Sequence, residues 1–366
     1  MNSKTGKVDA AEFAAAIKKV SAVLKPSAIP EVGNICVEFA GGVCRLKGTD
    51  LTVYVTTEIP ADGDDFSFVF TNTANVVRAC GHYRGELRFE LWGIEREKKL
   101  TVRTDDKAGE FPVSDTALYP DFPMEEPTER YTARADQLYQ RTKRVSYASR
   151  DCESTHALPG VRFEGNHIWC LDGMRVAVSD DETLNVRRRF VLPAKKMEYL
   201  KLMGQSDVDV AVSGKYVLFS GNGLSLLYRQ LLTTDQLSPE TIFPKTSRES
   251  YYVDRTAYLE TLRYLGEVTR RSGVVYVHFQ RGDLSVYDKY TDSRYSARIE
   301  TDGDCQIAYR FDLRFMREAL GQFAGEKYLR FDVYGEMQPI VISGESGMKA
   351  LILTARLRAE SESAAA

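Results

Sequence analysis

Three times along 366 residues the same order of segments returns, with a period of about 120 residues. Each copy opens with an amphipathic helix, continues through short strands to a second helix, and closes with more strands. A repeat of this size constrains the fold more than any single motif, because one supersecondary plan has to serve all three copies.

In the first copy Phe13, Ile17, Val20 and Leu24 fall on one face of a helix from Ala10 to about Leu24, with Asp9 placed to cap it. ICVEFAG, VCRLKGTD and LTVYVTTEI read as strands. FSFVF leads into a second helix from Thr73 to about His82, capped by Asn72 or Thr73, and ELRFELWG and KLTVRT alternate as strands. The second copy opens with a helix in ADQLYQRTKRVSYAS, followed by GVRFEG, HIWCLDG and MRVAVSDD. RRFVL delivers its second helix, Pro193 to about Met203, with proline suited to a first turn. VDVAVSG, YVLFSG and LSLLYRQL close it. The third copy runs from RTAYLETLRYLGEV through VVYVHFQ, LSVYDKY and SARIE to a helix over Asp312 to Phe323, then LRFDVYG, PIVISGE and ALILTARL.

Proline-containing stretches divide the copies, residues 118–129 and 237–250, and both carry a Phe-Pro pair, Phe122-Pro123 and Phe243-Pro244. The expected division is 1–124, 125–246 and 247–366, with 358–366 a short polar tail. The expected class is α+β, with the two helices of each copy packed on antiparallel sheets. Strict alternation of strand and helix with glycine-rich turns, the mark of a nucleotide-binding sheet, is lacking.

Composition narrows the function. Lys and Arg number 49 against 52 Asp and Glu, a net charge of −3, so a chain that coats nucleic acid with its whole surface is excluded, whereas a local basic patch is not. Such a patch is suggested by the helices. Lys18, Lys19 and Lys25 lie on or just past the first, Arg78 and Arg84 on or beside the second, and Arg141, Arg144 and Arg150 on or just past the third. The fourth has Lys195, Lys196 and Lys201, the fifth ends in Arg270 and Arg271, and the sixth carries Arg314 and Arg317. Lys and Arg also suit any solvated helix face. Six basic helices on one repeated plan would instead make a positive surface that attracts phosphate without reading bases.

Chemistry is not legible. There is no GxxxxGK[ST], HExxH or GxSxG. Gly221-Asn222-Gly223 and Asp302-Gly303-Asp304 read as turns. His82, His156, His167 and His278 lie far apart, and Cys36, Cys44, Cys80, Cys152, Cys170 and Cys305 form no CxxC, so buried reduced thiols are expected and no metal site or cofactor. No apolar run approaches the roughly 20 residues that span a bilayer, and the start has no apolar leader core, which places the chain in the cytoplasm as an expectation.

Several stretches, in order, resemble the β subunit of bacterial DNA polymerase III, the sliding clamp. They are PEVGNI at Pro30–Ile35 with LKGTDL at Leu46–Leu51, YPDFP at Tyr119–Pro123, and LPGVRF at Leu158–Phe163 with LDGMRVA at Leu171–Ala177. Val191-Leu192-Pro193 with Lys195, and LILTARL at Leu351–Leu357, complete the series. The resemblance implies three clamp domains per chain and a head-to-tail homodimer forming a six-domain ring around double-stranded DNA. It implies a non-catalytic accessory of DNA polymerase III, without cofactor, that tethers the polymerase α subunit, the clamp loader and other proteins carrying a clamp-binding motif. The basic helix residues would line the hole.

Carried over by position, the partner-peptide pocket comprises Leu158, Leu171, Gly173, Met174, Arg175, Val176, Pro244, Arg248, Leu351, Ile352, Leu353, Thr354, Ala355, Arg356 and Leu357. The dimer edge would set a strand near Phe111 and Val113 against the helix near Leu265. Leu171 and Met174 stand where the family has Thr and His, Thr354-Ala355 where it has Pro-Met, and Glu249 at a usually apolar position. These departures leave open a clamp-fold protein of a mobile element or divergent lineage that serves a specialised polymerase or partner.

Overall fold

The computed structural model describes residues 3–27, 29, 31–93, 98–123, 125–149, 160–233, 235–270 and 273–356. The first repeat holds β1 (Lys4–Asp9), α1 (Ala10–Ser21), β2 (Cys36–Ala40), β3 (Val43–Thr49) and β4 (Val53–Pro60). It continues with β5 (Asp62–Gly63), β6 (Phe66–Phe70), α2 (Thr73–Cys80), β7 (Glu86–Trp92), β8 (Lys99–Arg103) and β9 (Ala108–Ser114). The second holds β10 (Glu129–Arg134), α3 (Ala135–Val145), β11 (Val161–Gly165), β12 (His167–Leu171), β13 (Arg175–Asp180) and β14 (Val186–Leu192). A run of 3-10 turns over Ala194–Met203 stands where the second helix was expected, before β15 (Asp207–Val212), β16 (Tyr216–Gly221) and β17 (Leu224–Arg229). In the third, a short α4 (Pro239–Ile242) precedes β18 (Glu249–Asp254), α5 (Arg255–Val268), β19 (Tyr276–Gln280), β20 (Asp283–Asp288) and β21 (Ser293–Arg298). It ends with β22 (Thr301–Asp302), β23 (Tyr309–Asp312), α6 (Leu313–Gly321), β24 (Tyr328–Val333), β25 (Ile340–Ser343) and β26 (Met348–Ile352).

The plan is thus strand, helix, four strands, helix, three strands, with β5 and β22 as two-residue additions. Each repeat begins one element earlier than the sequence suggests. The leading strands β1 and β10 carry few apolar residues and β18 runs straight into α5, so periodicity alone does not reveal them. The expected caps form. Asp9 accepts from the N–H groups of Ala11 and Glu12 at 2.8 and 3.0 Å, and Asn72 rather than Thr73 caps α2. α1 stops at Ser21, short of Leu24, and Asp312 caps α6 rather than belonging to it. The second linker contains α4, which opens on Pro239.

The strands divide between two compact units, one of residues 1–139 with 196–230, the other of 140–195 with 231–366. The first unit contains a single ladder in the order β10-β15-β16-β17-β4-β3-β2-β6-β9-β8-β7-β1-β5. The second contains β14-β11-β12-β13-β26-β25-β24-β18-β22 and, separately, β21-β20-β19-β23. All pairs are antiparallel. Two pairings join repeats. In the first unit β17 lies against β4, Leu227 opposite Tyr54; in the second β26 lies against β13, Leu351 opposite Val176.

One face of each sheet packs on helices. α1 presents Phe13, Ile17 and Val20, all fully buried, and the Phe13 ring sits 5.0 Å from Phe89. Gly48 in the LKGTD stretch is what lets α1 approach β3, because a Cβ there would come within 2.6 Å of Val20 Cγ1. In the third repeat Tyr258, Leu262 and Leu265 of α5 are fully buried, with Tyr258 packed on Phe331 at 5.5 Å. Cys36, Cys44, Cys80, Cys170 and Cys305 are buried and unpaired, and burial pushes the thiols of Cys36 and Cys80 up to about 11 and about 12. Cys152 lies outside the described residues.

Candidate functional site: an apolar groove and a set of exposed cations

The second unit carries most of the residues carried over to the partner pocket, and the β13–β26 ladder sorts them by parity. Opposite residues in an antiparallel pair share a face, and successive residues alternate. Leu171, Val176, Leu351 and Val341 therefore stand in one row across four strands, with Trp169 and Val178 in the next. These six are buried in one apolar cluster, and Leu237, Ile242, Phe243 and Tyr334 pack against it half-buried. Leu353 extends the row beyond β26. Its N–H donates to the Met174 carbonyl at 3.0 Å, and both side chains are exposed.

Arg175 and Ile352 oppose each other one position away, so they face the helices instead. Ile352 is fully buried. Arg175 is held by Asp172 at 3.2 Å, by the Tyr147 carbonyl at 2.7 Å and by Glu318, and its guanidinium lies 4.5 Å from the Phe315 ring. Neither offers a side chain to the groove. Gly173 is exposed with φ +85°, and Asp172 accepts from the N–H groups of Met174 and Arg175 at 2.9 and 3.1 Å, fixing that turn. On the linker, the Pro244 carbonyl accepts from Tyr334 Oη at 3.2 Å. Arg248 is exposed and lines a cavity of about 400 Å³ with Tyr334 and Met337. Thr354 and Ala355 are half-buried and Arg356 is exposed, while Leu158 and Leu357 lie outside the described residues.

Sequence reasoning missed Trp169, Val178, Val341 and Leu237. The two-residue spacing of Trp169 with Leu171, and of Val176 with Val178, was the available signal. The linker over this face is tied down by charge. Asp235 takes Arg162 at 3.0 Å and Arg189 at 2.6 Å, and both guanidinium groups lie over the Trp169 ring, at 5.1 and 5.7 Å. His167 on β12 reaches Asp180 through Nδ1 at 2.7 Å and Glu240 of α4 through Nε2 at 2.8 Å. These carboxylates, Asp180 foremost, raise the imidazole pKa above 6.5.

The basic helix residues divide into two kinds. Lys18, Lys25, Arg78, Arg84, Lys195, Lys201, Arg270, Arg314 and Arg317 are exposed. Arg270, Arg314 and Arg317 gather around one pocket of about 210 Å³ between α5 and α6. Lys19 and Arg144 are half-buried. Two others are engaged internally. Lys196 pairs with the buried Asp50, and its ammonium is the main cause that lowers the pKa of Lys25 beside it. Arg141 lies 2.8 Å from Asp181 and also donates to the Asp180 carbonyl. Arg150 and Arg271 lie outside the described residues. Of the dimer-edge residues, Val113 is buried beside Phe70, Phe111 is half-buried on β9, and Leu265 is fully buried in its own repeat. Among the described residues no three His, Cys, Asp or Glu gather as a metal site, and no helix is long and apolar enough to cross a membrane.

A repeated α+β plan joined by cross-repeat ladders is an architecture that solved structures share. No family model and no curated protein matches the sequence. Among solved structures, the DNA polymerase III subunit β of Pseudomonas aeruginosa matches with a TM-score of 0.85 at 14% identity, over 96% of this chain and 100% of that one. The DNA polymerase sliding clamp of Bacillus subtilis matches with 0.85 at 17% identity, over 98% and 100%. The DNA polymerase III β subunit of Thermotoga maritima matches with 0.81 at 16%, over 97% and 100%. The chain therefore has the fold of bacterial DNA polymerase III β sliding clamps over nearly its whole length.

Two outcomes follow from this geometry. Arg141→Ala strands Asp181, whose side chain is 4% exposed, and should cost about 3 kcal/mol in denaturant unfolding, the low end for a buried pair because Arg141 itself keeps 25% exposure. For His167 the raised pKa means that its cationic contribution to holding α4 is complete below 6.5 and is lost as pH rises through the higher folded value. An NMR titration should place its midpoint above 6.5, and His167→Gln should remove the step in stability across that window.

Proposed function

We propose that the chain is a DNA sliding clamp, a non-catalytic processivity factor whose three repeats act as the domains 1–124, 125–246 and 247–366. Two copies close head to tail into a six-domain ring around double-stranded DNA. The observation that carries this reading is an unused pair of strand edges. The fourth strand of the first repeat, β4, takes the last strand of the second, β17; the fourth strand of the second, β13, takes the last strand of the third, β26. The same rule leaves β21, the fourth strand of the third repeat, and β9, the last strand of the first. Among the described residues β21 pairs with β20 alone, and β9 meets β6 only at its end, Val113 and Ser114. Open edges are hazardous unless paired, and pairing these two between copies closes a ring by a heterologous contact repeated twice. β9 then pairs edge to edge with β21 of the second copy. Glu110 on β9 and Arg294 and Arg298 on β21, all exposed, supply opposite charges.

The exposed helix cations are the phosphate contacts in this reading. They neutralise backbone charge without base contacts, which permits movement along the duplex. The β13–β26 groove is the docking site for short peptides of the DNA polymerase III α subunit, the clamp loader and other partners. Leu171, Val176, Leu351 and Leu353 receive the apolar anchors. Exposed Met174, with an adaptable thioether, stands at the groove mouth.

Light scattering should give a mass of twice 41.2 kDa. Replacing Arg294 and Arg298 together by Glu should weaken the dimer by about tenfold or more, and Glu110→Arg in the same chain should restore it. The ring should stay on closed circular DNA and run off on linearisation; a chain that is monomeric at every concentration and is never retained on circles sinks the proposal. Arg314→Ala with Arg317→Ala should lower the salt slope of DNA binding by about 2. Leu353→Arg should abolish polymerase stimulation and leave the dimer mass unchanged.

A further inference from the structure

The first unit contains a counterpart of the β13–β26 groove. The two ladders match strand by strand. Across one run Arg130, Ala211, Leu218, Leu227 and Tyr54, each opposite the next. Across the other run Ser250, Asp332, Val341, Leu351 and Val176. The turn feeding each groove is built alike. Asp50 accepts from the N–H groups of Thr52 and Val53 at 3.0 and 2.9 Å, as Asp172 does from Met174 and Arg175 at 2.9 and 3.1 Å. Leu51 and Gly173, at the same place in these turns, both take positive φ, 66° and 85°. A Phe-Pro linker lies over each face: Phe122 packs edge-on to Tyr54 at 5.0 Å, and Phe243 packs on the Trp169 cluster.

Between sheet and linker the first unit holds a cavity of about 740 Å³, within the roughly 300–1,000 Å³ usual for ligand sites. Leu218 and Leu227 are half-buried on its floor, whereas their strand neighbours Val217, Phe219 and Leu226 are fully buried under the helices. We infer that the β4–β17 junction is a second peptide-docking groove, which takes an extended segment with two apolar side chains and one carboxylate. The inference rests on reading the β13–β26 face as a peptide groove.

Charge selects this occupant. Of the cations lining the cavity, Arg45 is engaged with Glu58 at 2.6 Å and Lys47 with Glu38 at 2.8 Å. Glu125 accepts from the Lys215 N–H at 3.0 Å. Arg130 is exposed at the end of the apolar row and has no ion pair among the described residues, so it is the cation available to an incoming carboxylate. Glu126, exposed on the same rim, disfavours a second one. The next row differs between the grooves. Lys47, Thr56 and Ser225 stand where the other has Trp169, Val178 and Lys349. The two grooves of one chain therefore select different peptides.

The test uses a displayed library of short peptides with a central Leu-x-Phe pair, panned on the full chain carrying Leu353→Arg, which closes the β13–β26 groove. Enriched peptides should carry one acidic residue beside the pair. Their dissociation constants should rise by about tenfold or more on Leu227→Arg or Arg130→Glu, and exchanging the acidic residue of the peptide for lysine should recover binding to Arg130→Glu. Tyr216, which lines the same cavity with its ring 6.5 Å from Tyr54, gives Tyr216→Ala as the floor variant should Leu227→Arg fail to fold. No enriched peptide, or peptides indifferent to the floor variant and to Arg130→Glu, overturns the inference. Peptides selected on the native chain and lost on Leu353→Arg keep the β13–β26 reading intact in that event, so the two ideas fail separately.

Discussion

The structure depends on strands of one repeat pairing with strands of the next. The β4–β17 and β13–β26 ladders satisfy backbone groups that would otherwise stand open at four sheet edges. They also fix parity. Because side chains alternate along a strand, a slip of one residue between β13 and β26 would turn Leu351 toward α6 and carry Ile352 into the groove. The apolar face, the linker over it and the exposed Leu353 all follow from that register.

Charge works in two ways in this chain, and burial separates them. Arg162, Arg175 and Arg189 sit over aromatic rings and reach buried or half-buried carboxylates, and Lys196 and Arg141 pair with Asp50 and Asp181. Removing a charge from water is costly unless a partner and hydrogen bonds compensate, so these residues pin turns, linkers and helices in place. The exposed cations on the helices are held more loosely, as Arg314 is by Asp312 at 3.8 Å and Lys201 by Glu198 at 3.6 Å, and solvent screens such pairs. A count of basic residues per helix mixes the two kinds.

The matched grooves show how a repeated backbone can diverge in chemistry. Asp50 and Asp172 fix the same turn, and Phe122 and Phe243 hold the same station over the sheet. The side chains between them differ: Tyr54, Thr56 and Lys47 in one, Val176, Val178 and Trp169 in the other. Backbone hydrogen bonds tolerate that exchange because the ladder does not depend on which side chain it carries. Recognition is then a property of the site and not of the fold.

By itself the sequence determined what is local. Helical spacing of Phe13, Ile17 and Val20, the capping oxygens of Asp9 and Asn72, and the alternation within HIWCL and YVLFSG express preferences of neighbouring residues, and they placed most helices and strands within a turn of where they lie. The threefold order and the stretches that resemble a clamp pointed to the architecture that the solved structures share. The leading strands escaped notice because β1 and β10 are short and largely polar, and β18 runs without a break into the helix that follows it. Only the tertiary structure decided which repeat edges meet, that Arg175 and Ile352 turn away from the groove while Trp169 and Val341 line it, and that Arg141 and Lys196 are engaged internally. Those outcomes depend on register and burial between residues more than a hundred positions apart in several cases, and no local preference of a chain encodes which of its faces another segment will cover.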